Sequence, residues 1–385
     1  MQNKNNISRL LERLKGDKII WLVVFAISMI SLLAVYTGAG SPVLARAGGT
    51  EYYLLKHFVL LAASFVIMYF VSRFDYRVFA RISTFLMYIT IPVLVLTLIF
   101  GRNVNDASRW IEIFGWTIQP SDFAKVTLLI HLAKVLTEKQ DKLDDFYQGF
   151  LPTMAWILVT CGLIAVANLS TGLLLFATSF MVLFIAGVNL RFLGSMVGGG
   201  ALVLVLLFTV GPRAGTWQSR LNAYWSSLTD DNYDPGHQVK QAYGAIANGG
   251  FFGQGPGKSS QRNWVPNSTS DMIYPIILEE LGFVGGVFVL GLYLLLLLRV
   301  VGIVTMSKTF GALLAAALAF LLVVQAMLNM AVAVGLIPVT GLPLPMLSMG
   351  GTSLLFTGFA LGIILSVSRH ALETKNASGK GAAFA

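Results

Sequence analysis

Long apolar runs of similar length alternate along this chain with short polar or Gly/Pro-rich breaks. A helix needs about 17–25 residues to cross the hydrocarbon core of a bilayer. Runs near that length fall at 19–38, 55–72, 82–100, 122–137, 151–168, 171–188, 192–211, 272–298, 309–335 and 347–368. The spacing predicts about ten transmembrane α-helices, with the fourth and sixth short. The first run, Ile19 to Tyr36, exceeds the roughly 7–15 apolar residues of a secretory h-region and follows a polar head. An uncleaved span is therefore expected there, despite the Ala45-Arg46-Ala47 sequence downstream.

Composition agrees with this pattern. Of 385 residues, 56% are hydrophobic and 12% charged, against about a quarter charged in soluble domains. That excludes a soluble fold. The expected class is an all-α polytopic membrane protein: a basic head over 1–18, one membrane domain over 19–371, and a polar, disordered tail over 372–385. The formal charge of +9 comes from scattered Lys and Arg without a basic stripe of interleaved aromatics, so no nucleic-acid surface is expected. Cys161 is the only cysteine, which excludes an internal disulfide or a cysteine metal cluster.

An even number of spans returns both termini to one side. Lys4, Arg9, Arg13, Lys15 and Lys18 in the head, Arg73, Arg77 and Arg81 in the second connection, and Arg369, Lys375 and Lys380 in the tail mark that side as cytoplasmic. Residues 212–271, the longest polar stretch, then form an extracytoplasmic loop between spans seven and eight. A loop this long is usually functional or disordered. Its aromatics, including Trp217, Tyr224, Trp225 and Trp264, argue for order and predict short interfacial helices.

A charge deep in a bilayer is costly and must be paired or wet, so Arg109, Asp122 with Lys125, Asp271, and Glu279-Glu280 stand out beside or within spans. Helix-end charges and salt bridges would explain them, and so would a polar cavity. Asp271 follows Pro266-Asn267-Ser268-Thr269-Ser270 and could cap the eighth helix while facing outer water. Arg109, Lys125, Lys258 and Arg262 fall on the same predicted side. An acid facing several cations suits a diphosphate-bearing substrate: the cations hold phosphates while the carboxylate takes a proton from an attacking hydroxyl.

Other motifs carry less. Gly253-Gln254-Gly255-Pro256-Gly257-Lys258-Ser259 is superficially like a nucleotide P-loop, but Phe252 stands where the first Gly is required. A flexible loop is expected, with Lys258 free to meet a lipid phosphate. The pairs Gly194/Gly198 and Gly358/Gly362 allow close helix approach. His57, His131, His237 and His370 are too dispersed for a metal set.

The segments Arg109-Trp110-Ile111 and Gln119-Pro120-Ser121-Asp122-Phe123-Ala124-Lys125 resemble signatures of the SEDS family, which includes FtsW, RodA and SpoVE. Further blocks are Asp234-Pro235-Gly236-His237-Gln238, Ala245 to Gly255, Thr269-Ser270-Asp271-Met272-Ile273-Tyr274 and Glu279-Glu280-Leu281-Gly282. Gly335 to Pro345 and Ser348-Met349-Gly350-Gly351-Thr352-Ser353 complete a resemblance that runs along nearly the whole chain. Asp122 stands where the family usually has Glu, His237 and Met349 where Tyr is usual, and Asn168-Leu169-Ser170-Thr171-Gly172 in place of a Pro-Asp turn.

The resemblance implies a peptidoglycan glycosyltransferase that polymerises lipid II on the outer face of the cytoplasmic (inner) membrane, with inversion and release of undecaprenyl diphosphate. Asp271 matches the catalytic acid of the family, and Arg109, Ser121, Lys125, Lys258, Arg262 and Glu280 form the candidate substrate-binding set. No metal ligands are assigned, although the family implies support by a divalent cation, Mg or Mn. The implied partners are lipid II, undecaprenyl-linked glycan, a class B penicillin-binding protein that supplies the transpeptidase, and other divisome membrane proteins. Asn267-Ser268-Thr269-Ser270-Asp271 lacks the Glu-x-His-Thr-Asp form frequent in RodA proteins, which favours an FtsW-type role at the division septum. The alternatives are a RodA-type elongation polymerase, a lipid II flippase, or a noncatalytic divisome scaffold.

Overall fold

A computed structural model describes residues 14–40, 49–104, 107–113, 116–230, 234, 236–264 and 269–381. Its first helices are α1 (Lys18–Ala39), α2 (Gly49–Arg73), α3 (Arg77–Phe100), α4 (Pro120–Glu138), α5 (Leu151–Ala167), α6 (Leu169–Ile185) and α7 (Leu190–Val210). Two shorter helices follow, α8 (Ala214–Thr229) and α9 (His237–Gly249), then α10 (Ile273–Val304), α11 (Thr309–Ala333) and α12 (Thr352–Gly381). With α5 extended by the π-helical turn Phe146–Phe150 that leads into it, eight of these are long and apolar enough to cross a membrane. The two remaining crossings, α4 and α6, are the ones whose apolar runs are short in the sequence. The 17 residues of α6 rise about 1.5 Å each, slightly less than a ~30 Å core. Most of α4 is buried among other helices, Asp122, Lys125 and His131 included, so it needs no lipid-compatible surface.

Contacts between helix ends separate two faces. On one, Asp17 caps α1 by accepting from Ile19 N at 2.8 Å and pairs with Arg299 of α10 at 2.5 Å. The same face brings Arg369 of α12 to the Arg73 carbonyl at the end of α2, at 2.8 Å. On the other face lie the connections after α3, α5, α7 and α11, bound to one another as described below. The odd-numbered crossings thus open onto one surface, as the even span count requires.

Helix α12 packs along α2 at small residues: a Cβ at Gly358 would overlap Ser64 and one at Gly362 would overlap Val71. At Gly194 and Gly198 nothing lies within 4 Å, so the packing role expected for that pair is not realised; α7 turns this face away from its neighbours. Helix α12 is continuous past Ala371, to Gly381.

Two features depart from simple spans. Residues Arg102–Val104 (β1), Ala107–Ile113 (β2) and Trp116–Ile118 (β3) form a three-stranded antiparallel sheet, with Ile111 opposite Ile118 and Glu112 opposite Thr117. The second feature is a break in α10 at Gly282, whose φ of 68° and ψ of −170° no side-chain-bearing residue adopts easily. The loop after α9 fills this break: Phe283 N donates to the Gly250 carbonyl at 3.0 Å and Gln254 N to the Glu279 carbonyl at 2.9 Å. The part of α10 before Gly282 is therefore a half-helix, which begins just after Asp271.

Candidate functional site

Asp271 sits in a turn, two residues before the start of α10. The N-cap position is Met272, which makes no side-chain cap bond, so the capping role open to Asp271 in the sequence is not the one it takes. The turn is tied down from three directions. Asn329 of α11 donates through Nδ2 to the Asp271 carbonyl at 2.7 Å and to the Leu342 carbonyl at 2.6 Å. Ser348 donates to the Ser270 carbonyl at 2.6 Å while accepting from Leu344 N at 2.8 Å, and Met349 N donates to the Thr269 carbonyl at 2.7 Å. The Gly335–Pro345 and Ser348–Gly351 blocks of the sequence thus have a physical task as an irregular strap over the Asp271 turn. Asp271 Oδ2 lies against this strap, 3.6 Å from where a Gly341 Cβ would stand. Burial pushes the Asp271 carboxyl above its ordinary range, while its own backbone N–H and the Arg220 guanidinium act in the opposite direction.

Beside this turn opens a polar cavity of about 330 Å³ lined by Lys56, Arg109, Asp122, Lys125, Asn168 and Ser270, with Gly341 to Pro343 of the strap. Lys125 Nζ stands 2.8 Å from Asp122 Oδ1, one helical turn away, and 3.4 Å from Gln325 Oε1. Gln325 Nε2 in turn donates to the Pro343 carbonyl at 2.7 Å. The Lys125 ammonium is buried, and such a charge persists only with a carboxylate and a polar acceptor at hand. The sheet brings Arg109 in from the opposite wall, where its Nε donates to the Ala167 carbonyl at the end of α5, at 2.8 Å. Burial, then the Arg213 and Arg220 guanidiniums, draw Arg109 down to about 10, so it still carries its charge at neutral pH.

The structure divides the remaining candidates from this cavity. Ser121 accepts from Gln119 Nε2 at 2.9 Å and lines a smaller space behind Arg109. Lys258, Arg262 and Glu280 line none of the large cavity. They belong to the loop wedged into the α10 break, where Glu280 accepts from Gly257 N at 2.7 Å and Arg262 Nη1 donates to the Gly257 carbonyl at 3.1 Å. Glu279, fully buried, accepts from Ser259 Oγ, from Ser260 Oγ at 2.8 Å and from Ser260 N at 3.1 Å. The glycine-rich segment expected to be flexible is therefore anchored, because each bond to a buried carboxylate contributes about 1.5–3 kcal/mol. Lys258 is exposed on its outer side.

This arrangement meets known proteins along most of its length. The model of the family FtsW/RodA/SpoVE, described as cell cycle protein, matches residues 17–373. The chain belongs to that family. It is 33% identical over 357 residues to the probable peptidoglycan glycosyltransferase FtsW of Trichlorobacter lovleyi, covering 91% of this chain and 93% of the relative. To stage V sporulation protein E of Bacillus subtilis it is 32% identical over 366 residues, covering 92% and 97%. The rod shape determining protein RodA of Thermus thermophilus superposes with a TM-score of 0.68 at 26% identity, over 92% of this chain and 97% of that one. A chain from a structure described as "Structural coordination of polymerization and crosslinking by a peptidoglycan synthase complex" gives 0.73 at 27% identity, over 92% and 98%.

As a member of this family the chain is an integral membrane protein of the inner membrane. The family's implied divalent cation finds no protein cage here: among the described residues no three of His, Cys, Asp and Glu converge. Gln325 and Asn329 join Lys125 and the Asp271 turn without being among the charges that the sequence singles out. Their signal was present, as two amides one turn apart in the otherwise apolar α11.

Proposed function

We propose that this chain is a peptidoglycan glycosyltransferase that polymerises lipid II into glycan strands, with Asp271 as the general base. The observation that carries the proposal is a half-buried carboxyl in a turn held by three backbone clamps, whose neighbour Ser270 lines the same cavity as Arg109 and Lys125. Asp271 takes the proton from the 4-hydroxyl of the acceptor sugar as its oxygen attacks the anomeric carbon of the lipid-linked donor. The bond from that carbon to the diphosphate breaks, the electron pair leaves with the diphosphate, and configuration inverts. Cations that meet the leaving group remove the need for a second carboxylate as general acid, which ordinary glycosidases require. A carboxyl raised by its surroundings suits this task, since a base works best with a pKa closer to the working pH.

The face carrying Asp271 is extracytoplasmic in this reading, with both termini in the cytoplasm, as the Lys/Arg bias of the opposite loops supports. The FtsW relatives support a role in division at the septum. The similarity to a synthase complex that couples polymerisation with crosslinking supports a transpeptidase partner, of the class B penicillin-binding type, within a larger membrane assembly. The test is polymerisation of lipid II by the purified Asp271→Asn protein with its transpeptidase. Loss of product with an unchanged thermal midpoint is expected. Undiminished product removes Asp271 from the mechanism.

A further inference from the structure

The strap over the Asp271 turn is itself held, by polar groups that enter from the membrane helices. Leu344, Met346 and Leu347 of the strap are buried, each at most 2% exposed. Irregular backbone in such a place must find its hydrogen bonds in neighbouring protein. Tyr293 of α10 donates to the Pro345 carbonyl at 2.5 Å, and Ser31 of α1 donates to the Leu347 carbonyl at 2.6 Å. Ser64 of α2 stands 3.5 Å from the Met346 sulfur while donating to the Leu354 carbonyl at 2.8 Å. Met346, between the two clamped carbonyls, has a φ of 60° and is the one non-glycine residue with a positive φ among the described residues. That conformation is disfavoured for an ordinary side chain and persists where the surroundings over-determine it.

Behind Ser31 stands His57, with Nε2 2.6 Å from the Ser31 hydroxyl oxygen. Both lie about two turns inside their helices, counted from the connection between α1 and α2. A serine hydroxyl has one proton to give, and the Leu347 carbonyl takes it. The imidazole must therefore donate its Nε2–H to Ser31. His57 is fully buried, and its Nδ1 has no hydrogen-bond partner among the described residues. A bare buried nitrogen costs stability, so packing alone does not account for a histidine here. The contacts lead on to the base. The Leu347 carbonyl belongs to the peptide bond of Ser348, and the Ser348 hydroxyl holds the Ser270 carbonyl, which belongs to the peptide bond of Asp271.

We infer that His57 is a positioning residue for the transfer: through Ser31 it holds the strap in its disfavoured turn at Met346, and the strap in turn sets the Asp271 carboxylate. This rests on the glycosyltransferase reading and extends it to a residue outside the cavity. Lys56 and Leu60 of the same helix line the large cavity, and His57 between them does not. Its effect therefore belongs to the rate of transfer and not to the binding of the sugar substrates.

The experiment compares the full wild-type chain with His57→Asn, His57→Gln and Ser31→Ala, in lipid II polymerisation under the conditions that test Asp271→Asn and in hydrogen exchange of the strap. A Gln amide N–H takes the place of the imidazole Nε2–H, whereas an Asn amide takes that of Nδ1. A buried hydrogen bond lost with its partner left bare is worth about tenfold in an equilibrium. His57→Asn should thus lower kcat about tenfold at an unchanged KM and raise exchange at 344–349 by a similar factor. His57→Gln should restore most of both. Ser31→Ala leaves the Leu347 carbonyl without its donor and should lose at least as much; it carries the same test if His57→Asn does not fold. Wild-type kcat in His57→Asn overturns the inference, whatever the exchange, as do equal losses in the Asn and Gln variants. A fall in thermal midpoint or a rise in KM without a change in kcat also overturns it. Exchange is read without turnover. A strap that loosens as expected in a chain whose wild type forms no glycan would therefore count against the glycosyltransferase reading alone.

Discussion

Asn329→Leu removes one amide of nearly the same size from the interior and should disable the site without touching the base. Asn329 is 2% exposed, and its Nδ2 donates to the carbonyls of both Asp271 and Leu342. Each bond contributes about 1 kcal/mol net, and each buried carbonyl left without a donor costs about 1–3 kcal/mol. From the two carbonyl penalties the predicted loss is about 2–6 kcal/mol, unless the Asp271 turn and the strap separate to let water in. Separation would relieve the stability cost and shift the carboxylate, and a displacement of about 1 Å can cost a hundredfold in rate. Either a clear fall in the thermal midpoint or a rate loss of about a hundredfold at a preserved midpoint is expected, measured by scanning fluorimetry and lipid II polymerisation on the same preparation. Gln325→Leu, which frees only the Pro343 carbonyl and one Lys125 contact, should have the smaller effect on rate. A variant at Asn329 with both wild-type rate and wild-type midpoint would show that the clamp does not position the base.

Three further outcomes follow from the same geometry. The polymerisation rate should fall on acidification at a higher pH than an ordinary carboxylate would dictate, because burial raises Asp271 and only its deprotonated form accepts the proton; R220Q removes an opposing cation and should move that acid limb higher still, and a limb unmoved by it would refute the coupling. Lys125→Met should destabilise the protein by about 3–5 kcal/mol by leaving Asp122 charged and buried, whereas adding Asp122→Asn should recover much of the loss in thermal midpoint. Glu279→Ala strips the acceptor from Ser259 and Ser260 and should raise hydrogen exchange across 253–261 by at least about tenfold, for lost bonds each worth roughly 1.5 kcal/mol or more; unchanged protection would mean that the loop is held by its backbone bonds to the broken helix alone.

Much of the membrane fold was legible in the chain. Apolar runs of bilayer length located the eight helices fit to cross and the two weaker ones, α4 and α6, since a span must satisfy its own backbone bonds and present carbon to lipid whatever its neighbours are. The two with weak signals differ in kind: α6 is apolar but short, and α4 is long enough but too polar to face lipid. Arg109, Lys125 and Asp271 stood out for a related reason, as charges near hydrocarbon need a purpose. The sheet leaves a fainter trace: Ile111, Ile113, Trp116 and Ile118 are strand-forming residues around Phe114-Gly115, but so short a run between two spans has the local pattern of any connection.

What the local pattern could not supply is who meets whom. The glycine-rich segment has the composition of a flexible loop, and only the break at Gly282 turns it into an anchored wedge that takes Glu280 and Arg262 away from Asp271. Asp271 has the position of a helix cap, and only the contacts of Asn329 with its carbonyl and of Ser348 with that of Ser270, across 58 and 78 residues of chain, set it in a turn ahead of the helix. Arg213 and Arg220 are two basic residues in a polar loop until α8 folds back beside Ala167 and the strap and brings them to Arg109. Sequence alone determined the solvent each segment can tolerate, because transfer energy is a property of the residues themselves. Tertiary structure decided the partners of each charge, because pairing depends on contacts between residues far apart in the chain.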